Sequence, residues 1–220
     1  MMTRKPLAWP RRALALAFLG LLSLGLTLGL TRSSADAAPP ADQQQVRELL
    51  QVDGGAYPAV VARVNDRPIH GAALAHRIYI VQHSSTSGAT QANAAHVALE
   101  QLISDEVLLQ VAPSQGVVVT DADVRAFAQD QARLAAQAKD GSAREIVAIH
   151  AAHLGVAPES YFSNPQVLEG YRQAMIVGQM RAKIVETMPA AQRNDPAAQQ
   201  AALRAFMDRS GARVETLIAP

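Results

Sequence analysis

Residues 98–124 read ALEQLISDEVLLQVAPSQGVVVTDADV, and how this stretch folds decides the rest of the chain. Leu99, Leu102, Ile103, Leu109 and Val111 recur mostly at spacings of three and four, which lines up side chains along one side of an α-helix. Glu100, Gln101, Asp105, Glu106 and Gln110 take the positions between them and predict a wet face. Gly116 suits the left-handed residue on which such a helix ends. Val117, Val118 and Val119 are β-branched and favour extended backbone. Thr120 then offers a capping oxygen, and Asp123, three residues later, a first-turn carboxylate. The stretch is therefore a helix, a corner and a second helix, and it carries no catalytic chemistry.

The same signals repeat outward from this corner. Val60, Ala62 and Val64 alternate, Asn65-Asp66 offers a turn, and Ile69 leads into a helix over residues 71–83. The small polar residues 84–90 read as a loop. The Thr120 helix continues to about Lys139 with Val124, Phe127 and Leu134 inward, and Asp140-Gly141 stops it. Ser142 and Glu145 have the spacing of a capping box for a helix with Ile146, Ile149 and Leu154, which Gly155 closes. Asn164-Pro165 opens the longest helix, with Leu168, Tyr171, Met175, Met180 and Ile184 inward and Pro189 at its end. Asp195-Pro196 repeats the start signal, and Gly211 precedes an extended piece over residues 213–218. A lone strand cannot satisfy its backbone, so this last piece is predicted to pair with the 60–69 hairpin. The fold class is thus mostly α, with a small antiparallel β element joining the first and last folded segments.

The first residues carry an address rather than a fold. Arg4, Lys5, Arg11 and Arg12 precede an uncharged apolar run over residues 13–30, a membrane-targeting layout. The run exceeds the core of an ordinary signal peptide and only just reaches the roughly 18 to 20 residues that span a bilayer. Ala35-Asp36-Ala37 is a plausible cleavage site, so residues 1–37 are either a signal peptide or a signal anchor. Residues 38–59 are expected as a flexible tether, with a short helix over residues 43–51 and a break at Gly54 and Gly55. Residues 60–220 then form one folded domain outside the cytoplasm, in a periplasm or another cell-envelope space. Cysteine is absent, which rules out both a disulfide framework and a lipidated cysteine after the apolar run. The chain carries 20 basic and 19 acidic side chains. Without residues 1–37, which hold five of the basic and one of the acidic, 15 basic face 18 acidic, a balance that disfavours nucleic acid as a partner.

Two pieces of the sequence carry a resemblance. Leu102, Ile103, Leu108, Leu109 and Ala112, followed by Gly116, Val117, Val119, Thr120, Asp121 and Val124, match a pattern that resembles the N-terminal chaperone domain of the SurA, PpiD and PrsA folding factors. VVARVNDRPIHGAALAHRI, residues 60–78, is similar to that family's opening hairpin and first helix. The resemblance spans roughly residues 60–218. Pro113 departs from it, standing where the family keeps a helix former, so the last turn is expected to distort or end early. The resemblance implies binding of unfolded or nascent exported polypeptides without ATP. In that family, prolyl isomerase activity resides in a parvulin domain inserted after the long helix; here the corresponding interval is residues 189–194, far too short to hold one.

The chain's own chemistry points the same way. His76 with His83 and His150 with His153 have helical spacing but no cysteine or tight carboxylate cluster beside them, so no metal and no cofactor are expected. Ser84, Ser85 and Ser87 lack the glycine pattern of a nucleophile elbow, and no phosphate-cradling loop is present. No catalytic residue is assigned. Tyr79, Ile80, Tyr161, Phe162, Tyr171, Met175 and Met180 are the candidate peptide-binding residues, since tyrosine and methionine adapt to varied apolar partners. About two thirds of them are expected to be core instead. The functional expectation is an ATP-independent extracytoplasmic chaperone, attached to the cytoplasmic membrane or secreted. The alternatives are a divergent prolyl isomerase or an anchored subunit with one dedicated protein partner.

Overall fold

The computed structural model describes residues 41–83, 93–138 and 141–218. The apolar run, the cleavage site, the 84–90 stretch, Lys139 and Asp140 lie outside the described residues. Helices α1 (Ala41–Leu50), α2 (Gly71–His83), α3 (Ala94–Val111), α4 (Asp121–Gln137), α5 (Ser142–His153), α6 (Pro165–Glu186) and α7 (Pro196–Arg209) make up most of the fold. Strands β1 (Val60–Val64), β2 (Arg67–His70) and β3 (Val214–Thr216) form one antiparallel sheet in the order β2-β1-β3. Among the described residues no helix is long and apolar enough to cross a membrane.

The last segment pairs with the first, as a strand with no neighbour requires: Ala62 lies opposite Thr216, Arg63 opposite Glu215 and Val64 opposite Val214. Asn65 makes the junction. It turns the β1–β2 hairpin at φ 53, a region an asparagine tolerates better than most residues. Its N–H donates to the Arg213 carbonyl at 2.7 Å, and its side-chain oxygen accepts from the Arg213 N–H at 2.9 Å.

The local start signals work as the sequence reads. Thr120 and Asp123 form a reciprocal capping box on α4, Asn164 accepts from the N–H groups of Gln166 and Val167, and Asp195 accepts from Ala197. Gly116, at φ 71, turns the chain after α3; its N–H meets the Pro113 carbonyl at 3.0 Å and that of Val117 meets Ala112 at 2.9 Å. The α-helix itself ends at Val111, two residues before Pro113, because proline cannot donate to the ladder.

Four expectations are corrected. The wet face predicted for α3 is only partly open: Gln101, Asp105, Glu106 and Gln110 are half-buried, and only the Glu100 side chain stays well exposed, at 44%. This helix is the hub, packed by α2, α6, α7 and β1, and its acidic side chains answer neighbours, whereas the buried Ser104 hydroxyl finds no hydrogen-bond partner among the described residues. Asp105 pairs with Arg77 of α2 at 3.1 Å and Arg181 of α6 at 2.9 Å, Glu106 with Arg67 of β2 at 3.6 Å, and Glu100 with Arg204 of α7 at 3.5 Å. Gln110 donates to the Val64 carbonyl at 3.0 Å. Such pairs contribute about 0 to 1 kcal/mol each, so they set register more than stability.

The capping box at Ser142 is the second correction. The residue before α5 that caps it is Gly141, at φ 74, Ser142 is buried inside the first turn, and Glu145 turns away to accept a hydrogen bond from the Gln43 amide of α1. Third, Leu134 points outward, 53% exposed, because the core that α4 covers ends at Ala128. Fourth, ordered packing begins before Val60: α1 lies against α5 and α2, with Val46 and Gln43 buried, and the Gly54–Ala56 turn packs on α2. Tyr79 of α2 fixes the far end of α1 through a 2.8 Å bond to Glu48.

Three buried clusters result. The first joins the sheet to α2 and α3 through Val61, Val64, Ile69, Leu74, Val81, Leu99 and Val107. The second gathers Val119, Val124, Ala128, Tyr171 and Met175 where α4 meets the first half of α6, and the third gathers Leu108, Ala112, Met180, Ile184 and Leu203 among α3, α6 and α7. The 22-residue α6 runs through the second and third and holds the two ends of the molecule together.

Candidate functional site

The seven candidate peptide-binding residues do not share one surface. Tyr171 and Met175 are buried in the second cluster and Met180 in the third. Phe162 is half-buried against the second cluster, and Tyr161 beside it meets the Phe162 ring edge-on at 5.1 Å. Tyr79 and Ile80 are half-buried on α2, where the Tyr79 ring stacks on His83 at 4.0 Å.

The rings of Tyr161 and Phe162 sit on the Pro158–Ser163 3₁₀ turn, which feeds directly into the Asn164 cap of α6. Phe127 meets Tyr171 edge-on at 5.2 Å, and His150 of α5 lies 6.1 Å from Tyr161. Burial dominates the titration here. It raises the Tyr161 hydroxyl above its ordinary value and the Tyr171 hydroxyl well above it, and it holds the His150 imidazole below its usual value, with His153 adding a smaller push on His150. Tyr79 is pushed up to about 12, first by burial and then by its bond to the Glu48 carboxylate. At neutral pH the Tyr161, Tyr171 and His150 side chains are neutral, so around the second cluster these rings act as an apolar aromatic support.

Of the seven, Met180 opens onto a cavity. Helix α6 presents Met180, Lys183, Ile184 and Thr187 along one side, and α7 presents Ala202, Ala205, Phe206 and Arg209 at the matching spacing. Small alanines stand across from long α6 side chains, so the two helices leave a groove of about 170 Å³ between them. Its floor is Met180, Ile184, Ala202 and Phe206, and its rim is polar: Gln115, Lys183, Thr187 and Arg209. The Lys183 amine donates to the Gln115 carbonyl in the turn after α3. Arg209 is exposed and has no acidic partner among the described residues. A wider, shallower cleft beside α1 has a floor of Ala148, Ile149 and Ala152, between Arg47 and Glu145.

Sequence reasoning reached Met180 but missed Lys183, Phe206 and Arg209. No local signal singles them out, because Ala202 and Ala205 stand among many alanines and open space only where α7 meets α6. Among the described residues no three His, Asp or Glu side chains converge in a way that could hold a metal ion. Compared with protein-family models, with curated proteins and with solved structures, the chain matches none.

Proposed function

We propose that this is a chaperone domain of the SurA, PpiD and PrsA kind, working outside the cytoplasmic membrane on unfolded exported chains without ATP. The observation that carries the reading is the α6–α7 groove: an apolar floor in which half-buried Phe206 and Ala202 lie over the buried Met180 and Ile184, sized for one large side chain. Such a site gives weak, sequence-tolerant binding, because one buried side chain contributes only about 1.5 to 3 kcal/mol. The work performed is mass action: a client held reversibly is withdrawn from aggregation. The sequence pattern at residues 98–124 and the pairing of the first and last folded segments support the same reading.

The test is light scattering from several unrelated, chemically unfolded proteins, with the full-length chain added and no nucleotide. Suppression of aggregation for most of them at near-stoichiometric ratios is expected. Proline-peptide isomerisation, measured alongside, should stay at its slow uncatalysed rate, with a time constant of roughly tens of seconds or longer. Failure to protect any client would overturn the reading, as would isomerase turnover abolished by changing one histidine.

A further inference from the structure

We infer that the α6–α7 groove captures the carboxyl terminus of a polypeptide whose last residue is large and apolar. The inference rests on the chaperone reading and names the part of a client that this site takes. Two features of the groove select the ligand. The first is charge: the lining contains two cations, Lys183 and Arg209, and no acid. Lys183 already donates one of its three N–H groups to the Gln115 carbonyl in the turn after α3, while the Arg209 guanidinium is unpaired among the described residues, so an incoming carboxylate meets a planar donor pair with no protein partner to displace. The second is size. About 170 Å³ over Met180, Ile184, Ala202 and Phe206 accommodates one leucine-sized or phenylalanine-sized side chain, whereas the tail of a long fatty acid would overrun it. An apolar side chain and a carboxylate on neighbouring atoms is the chemistry of a chain end.

The probe is a fluorescein-labelled heptapeptide ending in Ala-Ala-Phe with a free carboxylate, titrated by anisotropy against the full-length chain. Its C-terminal amide and an amidated peptide carrying Glu after the Phe are run beside it. The free acid should bind about tenfold more tightly than either, and Arg209→Gln should erase that advantage while leaving the thermal melt unchanged. The advantage should also shrink as salt rises from about 0.05 to about 0.5 M. Acid and amide binding alike, or an acid preference that survives Arg209→Gln, would overturn the capture of chain ends. Ala205→Leu fills the groove, and a melt of that variant shows whether it has folded. If acid and amide bind alike and folded Ala205→Leu weakens both, the groove still holds side chains and the chaperone reading stands without chain-end capture. If folded Ala205→Leu changes neither, the groove binds neither peptide and both fall.

Discussion

The sheet end of the molecule and the end built from α4, α5 and the 3₁₀ turn are packed by different means. At the sheet end Val61, Ala62, Val64 and Leu74 are fully excluded from water, all aliphatic and all on regular elements. At the other end the cluster is Val119, Val124, Ala128, Tyr171 and Met175, backed by half-buried Phe127 and Phe162, and few of its members are fully excluded. Short aliphatic side chains fit a sheet and a helix closely because backbone pairing fixes their positions first. Where no strands fix the backbone, large adaptable side chains fill an irregular space with fewer exact fits. The first end should therefore respond to damage steeply and the second by adjustment.

The harshest way to break this contrast is to remove residues 213–220. The ladder between β1 and β3 is lost, along with the Ile218 contacts on the first cluster. With roughly 1 kcal/mol per hydrogen bond and a further 1 to 2 for the side chain, the melting temperature should drop by about 10 °C or more, or cooperativity should vanish. An unchanged melt would show that the pairing of β3 with β1 contributes nothing to stability.

Matched truncations sharpen the comparison. Leu74→Ala should cost about 3 to 4 kcal/mol and Met175→Ala about 2, because the surroundings of a methionine among rings collapse into the gap more readily. Urea unfolding of the two variants checks it, and equal losses would erase the distinction between rigid and adaptable ends. A smaller effect is expected at the corner joining the two ends. Thr120→Ala removes the α4 capping box and should cost about 1 kcal/mol, read as a fall of roughly 2 to 4 °C in the melt.

The smallest effect is in the acid response of that same corner. The Thr120 hydroxyl and backbone N–H hold the Asp123 carboxyl below the ordinary aspartate range. A lowered value in the folded state means the contribution is present above the unfolded value of about 3.9 and is lost as pH falls through the folded one. Asp123→Asn should therefore be slightly less stable than the parent at neutral pH, with the gap closing below about pH 4. A gap that stays constant across that range in thermal melts would assign the effect of Asp123 to packing instead of charge.

Much of the fold was legible because short-range chemistry writes it. The Asn164-Pro165 and Asp195-Pro196 starts, the Thr120 box and the Gly116 turn are decided by side chains within three residues, and the structure agrees with each. The pairing of 214–216 with β1 was legible by elimination, since the strand had no other neighbour. What escaped depends on partners distant in sequence. Glu145 looked like a local cap until Gln43, about a hundred residues earlier, competed for it. The charged row on α3 looked wet because nothing in residues 98–124 reveals that Arg67, Arg77, Arg181 and Arg204 come to meet it. The groove is of the same kind: Ala205 is unremarkable until the register of α7 on α6 sets it near Met180 and Ile184.

The Asn65 junction carries one more consequence, in time instead of space. A polypeptide is made from its amino end, so Asn65 emerges about 150 residues before Arg213, the residue whose N–H and carbonyl it engages. Until the last turn of α7 has been synthesised, β1 carries an open edge where β3 will lie, and α2 and α3 gather around half a sheet. The sheet is thus completed only after every helix of the fold has been made, and loops this long slow folding. For that interval β1 is the kind of exposed strand that invites unwanted pairing.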